Sequence, residues 1–200
     1  NYAKKKERQK KRFSFVLTGG PSPVKLYKKL SKKKINWKNI DLFWGDERFV
    51  PKKSKHSNFN LVHHNLLKNI KINKKQIYYI NTNNNSALKS AYNYEKVLKR
   101  YFLNKKNFFD VILLGMGNDG HIASIFSNNL KEKTNKLVTN VTKKDFQRIS
   151  LTLNSINKAK NIFLWLNNKK KTKVFKYLKG KKKIPVYYLK KQKMSIFLTK

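Results

Sequence analysis

A doubly wound α/β fold, with a mainly parallel sheet covered by helices on both faces, is the class this 200-residue chain predicts. Three observations carry it. Short apolar runs such as Val111-Ile112-Leu113-Leu114 continue without polar alternation, as strands buried on both faces do. Amphipathic stretches separate them, the clearest with apolar residues at Ala87, Ala91, Tyr94, Leu98 and Tyr101/Phe102. The glycine-rich and acidic segments each follow directly on a predicted strand, and ligands of such sheets sit beyond the strand C-termini.

In order along the chain, residues 1–12 are a basic segment read as a remnant helix, and 13–200 as a single domain. Phe13–Thr18 reads as a buried strand, followed by a Gly-Gly turn and a helix from Pro23 to Lys34, with Ser22 as N-cap and Pro23 as first helical residue. Ile40–Gly45 is a second strand. Leu61, Leu66 and Leu67 support a short helix after Ser57-Asn58. Ile77–Ile80 is a strand, Asn81–Asn85 a polar loop and Ala87–Phe102 the amphipathic helix. The Val111–Leu114 strand leads into a glycine-rich turn and a short helix through Ala123 and Phe126. Ile149–Leu153, Ile162–Leu166, Val186–Leu189 and Ile196–Leu198 are the remaining strands, with a helix near Thr172–Leu178.

Charge dominates the composition: 49 Lys plus Arg stand against nine Asp plus Glu, a net +40. Lysine is spread over nearly every predicted loop and helix face, without zinc-finger spacing, RNA-binding aromatics or a basic zipper, so the reading is a solvated cationic coat rather than a specific nucleic-acid interface. Such a coat attracts anionic substrates and holds polyanions non-specifically at low salt. The absence of cysteine excludes a thiolate nucleophile, and fits a reducing, cytoplasmic compartment. No apolar run reaches membrane-spanning length. His63 and His64 point to different faces of their helix and offer no metal pair.

Against that background the few acids mark two places to look for chemistry: Asp41-Leu42-Phe43-Trp44-Gly45-Asp46-Glu47-Arg48, and Asp110 through Asp119 to His121. In the first, the planar fork of Arg48 suits a phosphate or carboxylate, with Asp46 beside it on the same face of the strand. In the second, Gly115-Met116-Gly117-Asn118-Asp119-Gly120-His121 turns out of a buried strand, and His121 is expected in the first turn of a helix. That position disfavours imidazolium, Asp119 pulls the other way and orients the ring, and the pair has the makings of a general base. A third segment, Leu17-Thr18-Gly19-Gly20-Pro21-Ser22-Pro23, is either an ordinary strand-to-helix turn or a phosphate cradle at a helix N-terminus.

With these residues in view, the chain resembles the 6-phosphogluconolactonases, in the superfamily they share with glucosamine-6-phosphate deaminase/isomerase. The matching stretches are Leu17–Pro23 (L-S-G-G-S-T-P), Phe43–Pro51 with Ser57-Asn58 (F-W-x-D-E-R-x-V-P…S-N), Asp110–Phe126 (D-x-x-L-L-G-M-G-x-D-G-H-x-A-S-L-F), and Arg148–Leu153 with Asn157 and Ala159. The resemblance implies a Rossmann-like domain that hydrolyses 6-phosphogluconolactone, in the oxidative pentose phosphate pathway, with no metal and no cofactor. It implies His121 as general base with Asp119, and Gly19, Gly20, Ser22, Asp46, Arg48, Gly117 and Lys170 around the substrate, with Lys169 and Lys171 as other registers for that lysine. A fused or associated pentose-phosphate enzyme is the expected partner, with neither specific nucleic acid nor membrane.

Departures from the pattern are informative. Pro21 replaces the usual Ser and removes one N–H from the cradle. Asn118, Ile122 and Ser127 replace Pro, Thr and Pro without touching the base. Family members carry a strand and helix before the Gly-Gly turn, whereas twelve residues precede Phe13, so the expectation is a domain short of those elements. In the deaminase branch, D-E-Y replaces Asp46-Glu47-Arg48 and a Glu assists the ring-opening His. Phe126 stands at that Glu's place, which favours the lactonase; a basic polyanion-binding domain is the non-enzymatic alternative.

Overall fold

The computed structural model describes residues 2–9, 11–103, 108–130, 134–167, 171–180 and 184–199. Its centre is a six-stranded sheet in the order β4-β2-β1-β5-β8-β9, with every neighbouring pair parallel. The strands are β1 (Phe13–Leu17), β2 (Ile40–Trp44), β4 (Ile77–Tyr78), β5 (Val111–Leu114), β8 (Asn161–Asn167) and β9 (Met194–Thr199). Helices α1 (Tyr2–Arg8), α2 (Val24–Ser31), α3 (Asn58–Asn65), α4 (Ala87–Phe102), α5 (Leu153–Asn157) and α6 (Lys171–Lys179) flank it. The α/β reading of the apolar runs is therefore correct, and β2, buried at all five positions, is the run at its purest. Among the described residues no helix is long and apolar enough to cross a membrane.

The order of strands locates the crevice. From β1 the chain steps to β2 and β4 on one side, then crosses by way of α4 to β5 on the other side of β1. The winding reverses between β1 and β5, and ligands of open α/β sheets bind at that reversal, beyond the carboxyl ends of the strands. Two tyrosines seal those ends. Tyr27 of α2 donates through its hydroxyl to Thr18 O (2.7 Å) and accepts from Thr18 N (3.0 Å). Tyr94 of α4 does the same for Trp44 O and N, both at 3.0 Å. Each hydroxyl satisfies backbone groups that the sheet abandons where the chain turns away.

Not all predicted elements form as expected. The segment through Ala123 and Phe126 is a series of turns with a single Ile122–Ile125 bridge, not a helix. Pro185–Tyr188 is a 3-10 turn in place of the expected strand Val186–Leu189, since Pro185 supplies no N–H for a ladder. Helix α2 starts one residue late: Pro23 takes the N-cap position, and Ser22 lies in the preceding turn with no capping bond. A second sheet was not anticipated. It is antiparallel, ordered β3-β7-β6, from β3 (Asp46–Arg48), β7 (Gln147–Leu151) and β6 (Val138–Thr142).

The acids also divide between the two ends of the large sheet. Asp41 sits near the start of β2, bound by the Arg12 guanidinium and by Tyr101 Oη (2.7 Å). Asp110 precedes β5, where it accepts from Ser14 N (3.0 Å) and Ser14 Oγ (3.1 Å) and pairs with Lys6 (2.9 Å) and Lys160 (3.1 Å). Both lie at the strand N-termini, far from the crevice, so these two acids are fasteners rather than chemistry. Burial pushes the Asp110 carboxyl up, but the Ser14 N–H and the two lysines pull it, on balance, below its ordinary 3.8. A carboxylate with a depressed folded value stabilises the fold above its unfolded value and loses that contribution as pH falls through the folded one. Asp110→Asn should cost about 1–3 kcal/mol in urea unfolding at pH 7, and the deficit should shrink below about pH 3.8. An equal deficit at pH 7 and pH 3 would refute the ionic account.

Candidate active site

The crevice is built by three loops that leave β1, β2 and β5. Gly19 and Gly20 turn the chain after β1, Gly20 at φ +78. Gly19 lets the backbone come close to another side chain: a Cβ there would fall 1.8 Å from Asn58 Oδ1. Asn58, the first residue of α3, donates through Nδ2 to Asp46 O (2.9 Å) and Asp46 Oδ1 (3.2 Å). The other oxygen of Asp46 accepts from Ser124 Oγ at 2.7 Å, three residues past His121. Thus Gly19, Asn58, Asp46 and Ser124 form one continuous fastening across all three loops. Asp46, expected beside Arg48 at the substrate, is buried and spends both carboxylate oxygens on this fastening. Gly19→Ala should therefore expel Asn58 and lower stability by about 1–3 kcal/mol in thermal or urea unfolding; an unchanged midpoint would show that the contact gives freely.

Glu47 is equally committed. Its carboxyl accepts from Arg48 N (2.8 Å), Asn58 N (2.7 Å), Phe59 N (2.7 Å) and Ser57 Oγ (3.0 Å), joining β3 to the first turn of α3. Burial pushes the group up to about 7, against the pull of the three N–H donors. Arg48 itself is half-buried; its Nη1 donates to His56 O (2.8 Å), while its Nε has no partner among the described residues.

The loop after β5 holds the imidazole. His121 Nδ1 lies 2.6 Å from Asp119 Oδ1, and its backbone N–H also points to that oxygen (3.3 Å). Burial raises the Asp119 carboxyl, but hydrogen bonding and charge from His121 outweigh it and leave the group below its ordinary value. Gly117 makes room for the pair: a Cβ there would sit 2.1 Å from His121 Nδ1 and Cε1 and 2.7 Å from Asp119 Oδ1. The loop closes on itself through Gly117 N to His121 O (2.9 Å), and Tyr177 of α6 donates to Asn118 O (2.8 Å). Ala123, at φ 48, occupies a left-handed conformation costly for a residue with a Cβ, and Ser124, directly after it, reaches Asp46. Since no helix begins at His121, the expected influence of a helix N-terminus on its ring is absent. Its orientation comes from Asp119 and from Phe126, whose ring centroid is 4.6 Å away.

Arg148 carries no signal in the sequence beyond its place in a family stretch. It stands directly across the β3–β7 ladder from Arg48. It is 8% exposed, pairs with Asp145 through Nη2, leaves Nε without a partner among the described residues and lies over Phe126 at 5.7 Å. Only the unforeseen small sheet brings the two arginines together, so periodicity held no signal for it. Lys170 lies outside the described residues. Among the described residues no three His, Asp or Glu side chains gather to hold a metal.

A His–Asp pair in the loop after β5, at the switch point, and two arginines facing each other across the small sheet make this an α/β domain with a candidate site for a small anion. The chain belongs to the glucosamine-6-phosphate isomerase/6-phosphogluconolactonase family, whose sequence model matches residues 1–198. It is similar to the 6-phosphogluconolactonase of Nostoc sp., with 34% identity over 159 residues, which cover 78% of this chain and 66% of that protein. It is similar to that of Thermotoga maritima as well, at 32% over 165 residues, 82% of this chain and 73% of the relative. The crystal structure of the Thermotoga maritima 6-phosphogluconolactonase superposes with a TM-score of 0.87 at 29% identity, over 98% of this chain and 89% of that one.

Proposed function

We propose that the chain hydrolyses 6-phosphogluconolactone to 6-phosphogluconate, the lactone step of the oxidative pentose phosphate pathway, in the cytoplasm. The observation that carries the proposal is the His121–Asp119 pair at the switch point. With its proton on Nδ1 and donated to Asp119, the ring leaves Nε2 as a base. Nε2 takes a proton from water as its oxygen attacks the lactone carbonyl. When the tetrahedral intermediate collapses, the same nitrogen returns the proton to the departing ring oxygen, so the imidazole ends as it began.

Arg48 and Arg148 are the counterpart of the substrate's single phosphate in this reading. Like charges directly opposite on neighbouring strands repel, and a dianion between the two guanidinium groups removes that cost. Gly19 and Gly20 serve the reading as the bend at the crevice wall, with Ser22 in the turn beyond. Amino-sugar ring opening, the family's other chemistry, is disfavoured: the group packed on His121 beside Asp119 is the ring of Phe126, which has no proton to give. Assaying 6-phosphogluconolactone and glucosamine 6-phosphate side by side tests the proposal. Turnover of the lactone above its spontaneous hydrolysis is expected; ammonia release from the amino sugar without lactone turnover would overturn it.

A further inference from the structure

We propose that Lys143, at the tip of the β6–β7 hairpin, is a third cation of the substrate site and sets its preference for a phosphorylated lactone; the inference rests on the lactonase reading. The small sheet supplies the geometry. Residues paired across antiparallel strands project to the same side, and the register aligns Arg48 with Arg148 and Arg148 with Val141. Lys143 is two residues beyond Val141, where the ladder continues through Lys143 N donating to Phe146 O at 3.1 Å, so alternation returns it to the arginines' face.

A shared ring fixes this placement. Lys143 Nζ stands 3.9 Å from the centroid of Phe126, and the Arg148 guanidinium lies over the same ring at 5.7 Å. Phe126 is 4% exposed and packs on His121. One buried aromatic group therefore touches both the hairpin cation and the imidazole of His121. The hairpin tip is tied down on both flanks: Asp145 pairs with Arg148, and Phe146 packs on His56 (5.0 Å), whose carbonyl holds Arg48. Asp145, the acid nearest in sequence, is thus already engaged, and among the described residues Lys143 has no carboxylate partner. A cation held only by an aromatic face remains free to turn to an incoming anion. Other lysines also lie over rings, Lys52 over both Phe59 and Tyr79 at 4.0 Å; what sets Lys143 apart is that its ring is the one packed on His121.

The test compares Lys143→Met with Lys143→Arg and with Lys144→Met, a neighbouring exposed charge. Lys143→Met should raise KM for 6-phosphogluconolactone about five- to tenfold with kcat changed less than about twofold, because the cation contributes to binding and not to proton transfer. Its preference over unphosphorylated gluconolactone should narrow by the same factor. Lys143→Arg should restore KM, and Lys144→Met should leave it unchanged. A KM in Lys143→Met within about twofold of wild type, or an equal rise in Lys144→Met, would overturn the proposal. Absence of lactone turnover by the wild type would refute the lactonase reading alone. Calorimetry with inorganic phosphate would then decide the matter, with weaker binding by Lys143→Met than by Lys144→Met supporting the third cation and equal binding refuting it.

Discussion

Replacing His121 by Ala is expected to remove catalysed lactone hydrolysis, with kcat/KM falling by about 10²–10⁴, the usual worth of a positioned general base. The fold should survive. The ring is partly exposed, and its contacts are Asp119 and Phe126, neither of which depends on it for burial in the large sheet. A native melting curve together with turnover at the spontaneous rate is the expected pair of results. Product binding separates the effects further: the arginines lie on β3 and β7, so affinity for 6-phosphogluconate should change little. Retention of more than about a tenth of wild-type activity would require a different base. In that case the His–Asp pair would be a structural clasp of the β5 loop.

The second large effect is expected from the smallest substitution. Gly117→Ala adds one methyl group, but the added carbon falls 2.1 Å from two atoms of the His121 ring. No rotation of a methyl relieves such an overlap; either the imidazole swings off Asp119 or the loop opens between Gly117 and His121. Misplacing a catalytic group by about 1 Å costs on the order of a hundredfold in rate. A fall of that size in kcat, with KM little altered, is expected by steady-state assay. The stability cost should be only about 1–3 kcal/mol, because the loop lies at the sheet's edge and not in its core. Wild-type kcat in this variant would mean that the observed His121 orientation is not the productive one. The two variants differ usefully, since Gly117→Ala retains the base and removes only its placement.

Much of the architecture was legible in the residues because it depends on local periodicity. Val111–Leu114 and Ala87–Phe102 form with the expected bounds, since a doubly buried strand and an amphipathic helix write their burial into consecutive positions. The glycine-rich segments stood out for a related reason: each follows a strand of a parallel sheet, so the loops share an edge whatever the details of packing. Where the reading failed, a longer-range contact decided the outcome. The stretch after His121 has helical composition, yet Ser124 is drawn to Asp46, 78 positions away, and the chain turns at Ala123 instead of coiling. The small sheet escaped notice because β3 is three residues long and its partner strand lies about a hundred positions later.

Fold class, family and the segments at which chemistry gathers are written in neighbouring residues, as apolar spacing and glycine-bounded motifs. Tertiary structure alone decided what each charged residue does there. It sent Asp41 and Asp110 to the far end of the sheet, turned Asp46 and Glu47 into fasteners, and set Arg148 opposite Arg48. A carboxylate or guanidinium takes its role from the donors and acceptors that meet it, and those come from strands and loops remote in the chain.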